Sequence, residues 1–250
     1  MTGPSRVAVL DVGTNSVKCL VAEPLPGEEA DLRVLSDRVR VTRLGEGLDR
    51  TGRLTPEGIG RTLRVLTEML SEARAAGAER LAMVGTEALR KAANASDFRE
   101  ALGRVGEEEP LLRGAELRIL SGEEEALLSF RAAASRRDLS GGALVFDVGG
   151  GSSELILGDG EGLRKRISLP VGALRLHERF LSADPPGPEA AGLARRDALA
   201  ALEGGAALFR VARGLPLVGI GGTVTTMASV ELGLEPYDPL RVQGFRLTRQ

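Results

Sequence analysis

Cysteine and histidine are nearly missing from this chain of 250 residues: Cys19 and His177 are its only examples. That excludes a disulfide framework, a Cys/His zinc cluster and a catalytic Cys–His pair. Cys19 falls inside an apolar strand, where a buried, inert thiol is expected, and His177 reads as solvated or packed within the helical stretch GALRLHERFL. Lysine is almost as scarce. Lys18, Lys91 and Lys165 leave 30 arginines among the 33 basic residues, a bias that also suits phosphate ligands. No apolar run approaches the length of a bilayer span, and MTGPSRVAVLD reaches its first strand without a long apolar leader, so a cytoplasmic protein is expected. A dominant charge is lacking as well. The formal net charge is −2, which argues against a general grip on nucleic acid and against attraction to a membrane surface.

What the chain does have is glycine at strand ends. Residues 144–157, LVFDVGGGSSELIL, read as an apolar strand ending at Asp147, a turn through Gly149, Gly150 and Gly151, and a returning strand from Ser152. Glycines permit close backbone approach, so their amide N–H groups can converge on one anion, with the Ser152 hydroxyl as a further donor. A phosphate fits such a cradle. Asp147 would repel it unless protonated or separated from it by a cation, for which Mg2+ is the natural candidate, and period two puts Glu154 on the face of Ser152, where it can share that task. Taken alone, the loop reads first as a tight hairpin with a solvated acid. It is not alone. VAVLDVGTNSVKCLV near the N-terminus repeats it: Asp11 answers Asp147, Gly13 answers Gly149, Thr14 and Asn15 stand for Gly150 and Gly151, and Ser16 answers Ser152. Unrelated hairpins need not share this register, whereas a duplicated domain gripping a phosphate chain from two sides would. The two copies are expected at 1–138 and 139–250.

Hydrophobic periodicity orders the rest. Residues 6–11 and 16–21 form the first hairpin and 32–44 a third strand. After the polar loop GEGLDRTGR, Thr55 caps a helix with Pro56 in its first position, and Ile59, Leu63, Leu66, Met69, Leu70 and Ala73 keep helical spacing to a stop at Gly77. A strand at 81–84 leads into Gly85-Thr86 and a helix bearing Leu89 and Arg90, followed by a helical segment from Ser96. A strand at 117–120 then precedes an Ala/Leu-rich helix to about Ala134. The order is βββαβαβα. The polar stretch 135–142 is the expected crossing between domains. The series then restarts with the second hairpin, a strand at 163–169, helical residues 172–181, a proline-rich break, one long alanine-rich helix to about Arg213 and a strand at 216–220. Gly221-Gly222-Thr223 opens a further helix, a junction suited to phosphate but as readily explained by close packing. Residues 242–250 read as extended, and no last strand and helix follow to complete the second copy.

Two side chains outside the loops stand out. Ser121 and Glu124 have the spacing of a capping box, and Glu123 suits a helix N-terminus through the dipole. Glu125 lies instead between Leu128, Ala132 and Ser129 on the helical wheel, where partial desolvation raises a carboxylate toward the range of a general base. The alternative is a third acid in a solvated first turn. Arg90 follows one turn beyond Thr86 near a strand end, placed for bidentate contact with phosphoryl oxygens; the alternative is an exposed arginine beside Lys91.

DVGTNS (11–16), LGEGLDRTGRLT (44–55), GTEALR (85–90), SGEEEA (121–126), DVGGGSSEL (147–155), SLPVGALRLHERF (168–180) and GIGGT (219–223) occur in this order along nearly the whole chain. Together they resemble the exopolyphosphatase/guanosine pentaphosphate phosphohydrolase family. The resemblance implies an α/β protein of the duplicated ribonuclease H-like (actin-like ATPase) fold, with a mixed five-stranded sheet in each domain and the active site in the cleft between them. It implies that Glu125 matches the general base and Arg90 the phosphoryl-binding arginine, that Asp147 and Glu154 match magnesium-associated acids, and that the loops after Asp11 and Asp147 match two phosphate loops. The expected assignment is Glu125 and Arg90 as catalytic, Asp11, Asp147 and Glu154 as Mg2+ ligands, and Gly13, Thr14, Asn15, Ser16, Gly149, Gly150, Gly151, Ser152, Gly221, Gly222 and Thr223 as phosphate-binding.

The expected activity is release of terminal phosphate from inorganic polyphosphate or of the 5′ γ-phosphate from guanosine pentaphosphate, with a homodimer as the assembly to test and neither nucleic acid nor membrane as a partner. A kinase or ATPase on the same fold shares the glycine loops. A non-hydrolytic polyphosphate or alarmone sensor predicts binding without turnover and no special need for Glu125.

Overall fold

A computed structural model describes residues 5–25, 32–135 and 137–248. Arg136, inside the expected crossing, and residues 249 and 250 of the expected extended segment lie outside the described residues. The chain divides into two compact units, Met1–Glu125 and Ala126–Gln250.

The first unit runs β1 (Val7–Val12), β2 (Ser16–Pro24), β3 (Leu32–Val41), α1 (Leu48–Thr51), α2 (Pro56–Ala75), β4 (Arg80–Gly85), α3 (Glu87–Lys91), α4 (Ala95–Glu108), a 3-10 turn at Pro110–Leu112 and β5 (Leu117–Ile119). Its sheet has the order β3-β2-β1-β4-β5, antiparallel through the hairpins and parallel from β1 to β5. Alternation explains the burial: Ala8, Leu10 and Val12 of β1 and Val17, Cys19 and Val21 of β2 form one core with Leu66, Met69, Leu70 and Ala73 of α2 and Phe98 and Leu102 of α4. Thr55 accepts from Gly58 N at 3.0 Å and Pro56 supplies a fixed φ, so α2 starts where the sequence places it. The stretch expected as a plain polar loop contains α1, one helical turn between left-handed Gly47 and Gly52.

α5 (Gly122–Ala134) spans the division, and beyond Glu125 its apolar face, Ala126, Phe130 and Ala133, packs with Ala143, Val145 and Ile156. The second unit continues β6 (Ala143–Val148), β7 (Ser153–Asp159), β8 (Gly162–Leu169), α6 (Ala173–Phe180), α7 (Pro188–Glu203), α8 (Ala206–Val211), β9 (Leu217–Ile220), α9 (Gly221–Glu231) and α10 (Pro239–Val242). Its sheet order, β8-β7-β6-β9, repeats the first as far as it goes. Leu144 and Leu155 pack on the opposite sheet face from Val145 and Ile156, with Leu208 of α8 and Ala212 at its C-terminal cap.

Three expectations need correction. The second sheet has four strands where five were expected; among the described residues no strand follows β9 to add the fifth. The long alanine-rich helix breaks at Gly204 and Gly205, because α8 approaches β7 so closely that a Cβ at Gly205 would lie 2.6 Å from Leu155 Cδ1. The expected extended segment at 242–250 starts instead on Val242, the last residue of α10, and turns at Gln243 and Gly244; Asp238 caps that helix by accepting from Leu240 N at 2.9 Å.

Candidate active site

Both glycine turns are tied down from behind. In the first, Gly45 N donates to Thr14 O at 2.8 Å, while Thr42 N and Arg43 N donate to Asn15 O at 3.0 and 2.9 Å. In the second, Ala173 N donates to Gly149 O at 2.9 Å and Arg175 N to Gly150 O at 3.1 Å. A trans peptide directs its N–H opposite to its C=O, so anchoring these carbonyls turns the amides of Asn15, Gly150 and Gly151 away from the support. Among the described residues no backbone carbonyl takes those three N–H groups. Amides so presented are the donors an anion needs.

The supports depend on glycines that periodicity did not single out. A Cβ at Gly45 would lie 2.4 Å from Thr14 Cγ2, and one at Gly172 only 2.5 Å from Gly150 O. The third glycine junction belongs to the second hairpin. Gly221 has φ 84°, and a Cβ there would lie 2.3 Å from Asp147 Oδ1, so both conformation and space demand glycine. Thr223 Oγ1 donates to Val148 O at 3.0 Å, which fixes the start of α9 against the end of β6.

The acids of the two hairpins differ in what faces them. Asp11 pairs across β1 and β2 with Lys18, whose Nζ donates to Oδ2 at 2.8 Å, while Asp11 Oδ1 is buried without a hydrogen-bond partner. Asp147 pairs across β6 and β7 with Glu154. Setting the two hairpins in register would have revealed Lys18, which occupies the place of Glu154. Glu154 Oε1 accepts from Ser152 Oγ at 2.8 Å and from Ser168 Oγ at 2.9 Å. The Ser152 hydroxyl, expected to serve a phosphate, is thus directed at Glu154.

Two carboxylates opposed across a strand pair repel each other, and their oxygens are the donors that a hard cation such as Mg2+ takes. Asp147 and Glu154 therefore fit the implied metal. Asp11 offers one orphaned oxygen but already has an ammonium beside it, and it belongs to the other unit. Among the described residues no three Asp, Glu, His or Cys side chains are gathered around one point as metal ligands.

Arg90 and Glu125 do meet. Val84 and Gly85 pair in parallel with Asp11 and Val12, so α3 leaves the sheet at the end that carries the first glycine turn. Arg90 Nη1 then donates to Leu120 O at 2.7 Å and to Glu125 Oε2 at 3.1 Å. Both side chains keep some solvent access, 30% and 27%. Glu124, next in the chain, closes the expected capping box: Ser121 N donates to its Oε2 at 2.8 Å and Glu124 N to Ser121 Oγ at 3.1 Å. Those bonds, the backbone one foremost, together with Arg118, hold the Glu124 carboxyl below the usual carboxylate range. His177 is exposed and Cys19 is buried. No helix among the described residues is long and apolar enough to cross a membrane.

A βββαβαβα unit followed by a partial second copy, each opening with a glycine-turned hairpin, defines a duplicated ribonuclease H-like protein of the actin-like class. Comparison with known proteins narrows this. The sequence profile of the Ppx/GppA phosphatase family matches residues 20–249. Exopolyphosphatase 2 of Mycobacterium tuberculosis is 35% identical over 249 residues, covering 97% of this chain and 76% of that protein. A guanosine-5′-triphosphate,3′-diphosphate pyrophosphatase of Vibrio atlanticus is 31% identical over 176 residues, 70% of this chain and 33% of that one. The solved Ppx/GppA enzyme of Aquifex aeolicus superposes with a TM-score of 0.69 at 34% identity, covering 95% of this chain and 74% of that chain. The chain belongs to the Ppx/GppA phosphatase family.

Proposed function

We propose that this chain is a cytoplasmic phosphohydrolase that removes terminal phosphates from inorganic polyphosphate, or the 5′ γ-phosphate from guanosine pentaphosphate, by in-line attack of water. The observation that carries the reading is the contact of Arg90 with Glu125 at the sheet end bearing the first glycine turn. Glu125 takes a proton from the attacking water, which requires an ionised carboxylate within hydrogen-bond reach of it. Arg90, oriented by Leu120 O, has further N–H groups for the phosphoryl oxygens. The amides of Asn15, Gly150 and Gly151 supply fixed donors for charge on the phosphate chain, and in phosphoryl transfer such positioning and electrostatics do most of the work. Asp147 and Glu154 would hold Mg2+, which when bound offsets charge on the phosphoryl oxygens.

In descent the two domains are 1–138 and 139–250: α5 follows β5 in chain order and so closes the first copy, although it packs with the second. The deciding measurement is free phosphate released from long-chain polyphosphate and from guanosine pentaphosphate, with and without Mg2+ and with no acceptor present. Release marks a hydrolase; tight binding with no release from either substrate would sink the reading.

A further inference from the structure

Arg43 is the one non-glycine residue with positive φ, 51°, among the described residues. A side chain there is strained, and residues so held are kept in place by their surroundings, commonly at ligand clamps. The surroundings here are specific. Arg61 Nε donates to Thr42 O at 3.0 Å and its Nη2 to Arg43 O at 3.4 Å, while the same Nη2 pairs with Glu46 Oε2 at 2.5 Å. On the other side Thr42 N and Arg43 N both reach Asn15 O. The strained residue is thus clamped between α2 and the first glycine turn, its N–H bound to the carbonyl of Asn15, the residue whose own amide is presented outward.

Asparagine or glycine would take this conformation with less strain, so the backbone does not account for an arginine. Arg61 spends its charge on Glu46 in supporting the bend. Arg43, by contrast, is exposed, and its guanidinium has no hydrogen-bond or ion-pair partner among the described residues. A planar fork of N–H donors suits phosphoryl oxygens.

We propose that Arg43 is a substrate-binding residue that contacts the phosphate chain beside the unit held by the first glycine turn, and so favours longer polyanions over short ones. This deepens the phosphohydrolase reading and rests on it. The proposal separates charge from backbone. Arg43→Gly relieves the positive φ, so its Tm should equal or exceed that of the wild type, whereas Arg43→Ala keeps the strain. Both lose the guanidinium, and both should show KM for long-chain polyphosphate raised roughly 5- to 10-fold at low salt with kcat little changed. Arg43→Lys, which keeps charge without the fork, should fall between. The difference should shrink toward nothing at high ionic strength, as screening removes an exposed charge contact. Unchanged KM in both Arg43→Gly and Arg43→Ala overturns the proposal. So does a rise in the glycine variant alone, since that would reflect the loop rather than the charge. If the wild type releases no phosphate from either substrate, the hydrolase reading fails instead, and polyphosphate affinity by calorimetry for the same variants still decides the role of Arg43.

Discussion

Arg90 Nη1 reaches Glu125 Oε2 at 3.1 Å although 35 residues separate them in the chain. Glu124, one residue earlier, is committed to Ser121 and Arg118. Adjacent acids in one helical turn thus have different occupations, which makes them a built-in pair for experiment.

Glu125→Gln keeps the size of the side chain and a hydrogen bond to Arg90, but an amide cannot take a proton from water at neutral pH. Turnover should fall by roughly 10²- to 10⁴-fold. Binding should survive, since the contacts of the glycine turns are untouched. Initial phosphate release and equilibrium polyphosphate binding, measured beside Glu124→Gln, provide the check. Equal, small rate losses in the two variants would mean that Glu125 is only a first-turn acid.

Acid should distinguish the same two residues by stability. The Glu124 carboxyl is held below its ordinary value of 4.5, foremost by the Ser121 backbone N–H. A depressed folded-state value means that its contribution is present above the unfolded value and is lost as pH falls through the folded one. Thermal melts from pH 6 downward should therefore converge for wild type and Glu124→Gln at the acid end, with the wild type higher near neutrality. A constant gap across the range would show that the capping carboxylate adds nothing by its charge.

Burial pushes the Cys19 thiol up from 9.0 to about 11, with Glu72 and Asp37 adding to the effect. The thiolate is the reactive form, so a thiol reagent at pH 8 should label the folded protein far more slowly than the denatured one. The raised value also sets a sign: the contribution of the neutral thiol to stability is intact below the unfolded value and is lost as pH rises toward 11. Prompt labelling of native protein at neutral pH would place Cys19 outside the core.

Gly172→Ala tests the support of the second turn. The added Cβ would fall 2.5 Å from Gly150 O and 2.6 Å from Gly150 C, both backbone atoms that cannot swing aside. Relieving the overlap should cost about 1–3 kcal/mol and displace the Gly150 amide from its anion-binding orientation. Urea titration should report the loss of stability and steady-state kinetics a higher KM. Wild-type values for both would show that the turn and α6 are not mechanically joined.

The legible parts of the fold were those fixed by neighbours in sequence. The Thr55 cap, the Ser121/Glu124 box and the hairpin alternation each need only a few residues to specify them, and each is present. The break at Gly204 and Gly205 was hidden because it answers to Leu155, on a strand some fifty residues earlier in the chain. Local propensity cannot report such a constraint. Likewise, period two placed Ser152 and Glu154 on one face, but which acceptor the hydroxyl would choose depended on Ser168 and the strand beyond. The contact of Arg90 with Glu125 was not legible at all, because 35 residues separate them in the chain and the resemblance implied a role for each but no bond between them.

Glu154→Gln addresses the metal through stability alone. Across the first hairpin Asp11 faces Lys18, an opposite charge; across the second Asp147 faces Glu154, a like one. Like charges directly opposed are destabilising, and a ligand that binds only the folded state stabilises it in proportion to its occupancy. In excess chelator, Glu154→Gln should therefore melt at or above the wild type, because the repulsion is gone while the amide oxygen still accepts from Ser152 and Ser168. On addition of Mg2+ the wild-type Tm should rise and the variant's should not, reversing the order of the two proteins. Lys18→Met, made in parallel, should lower the Tm in chelator, because it strips the counter-charge from Asp11, whose Oδ1 is already buried and unpartnered. If Mg2+ raised the Tm of wild type and Glu154→Gln equally, the acid pair would not be the metal site, and the orphaned Asp11 oxygen would become the next place to look.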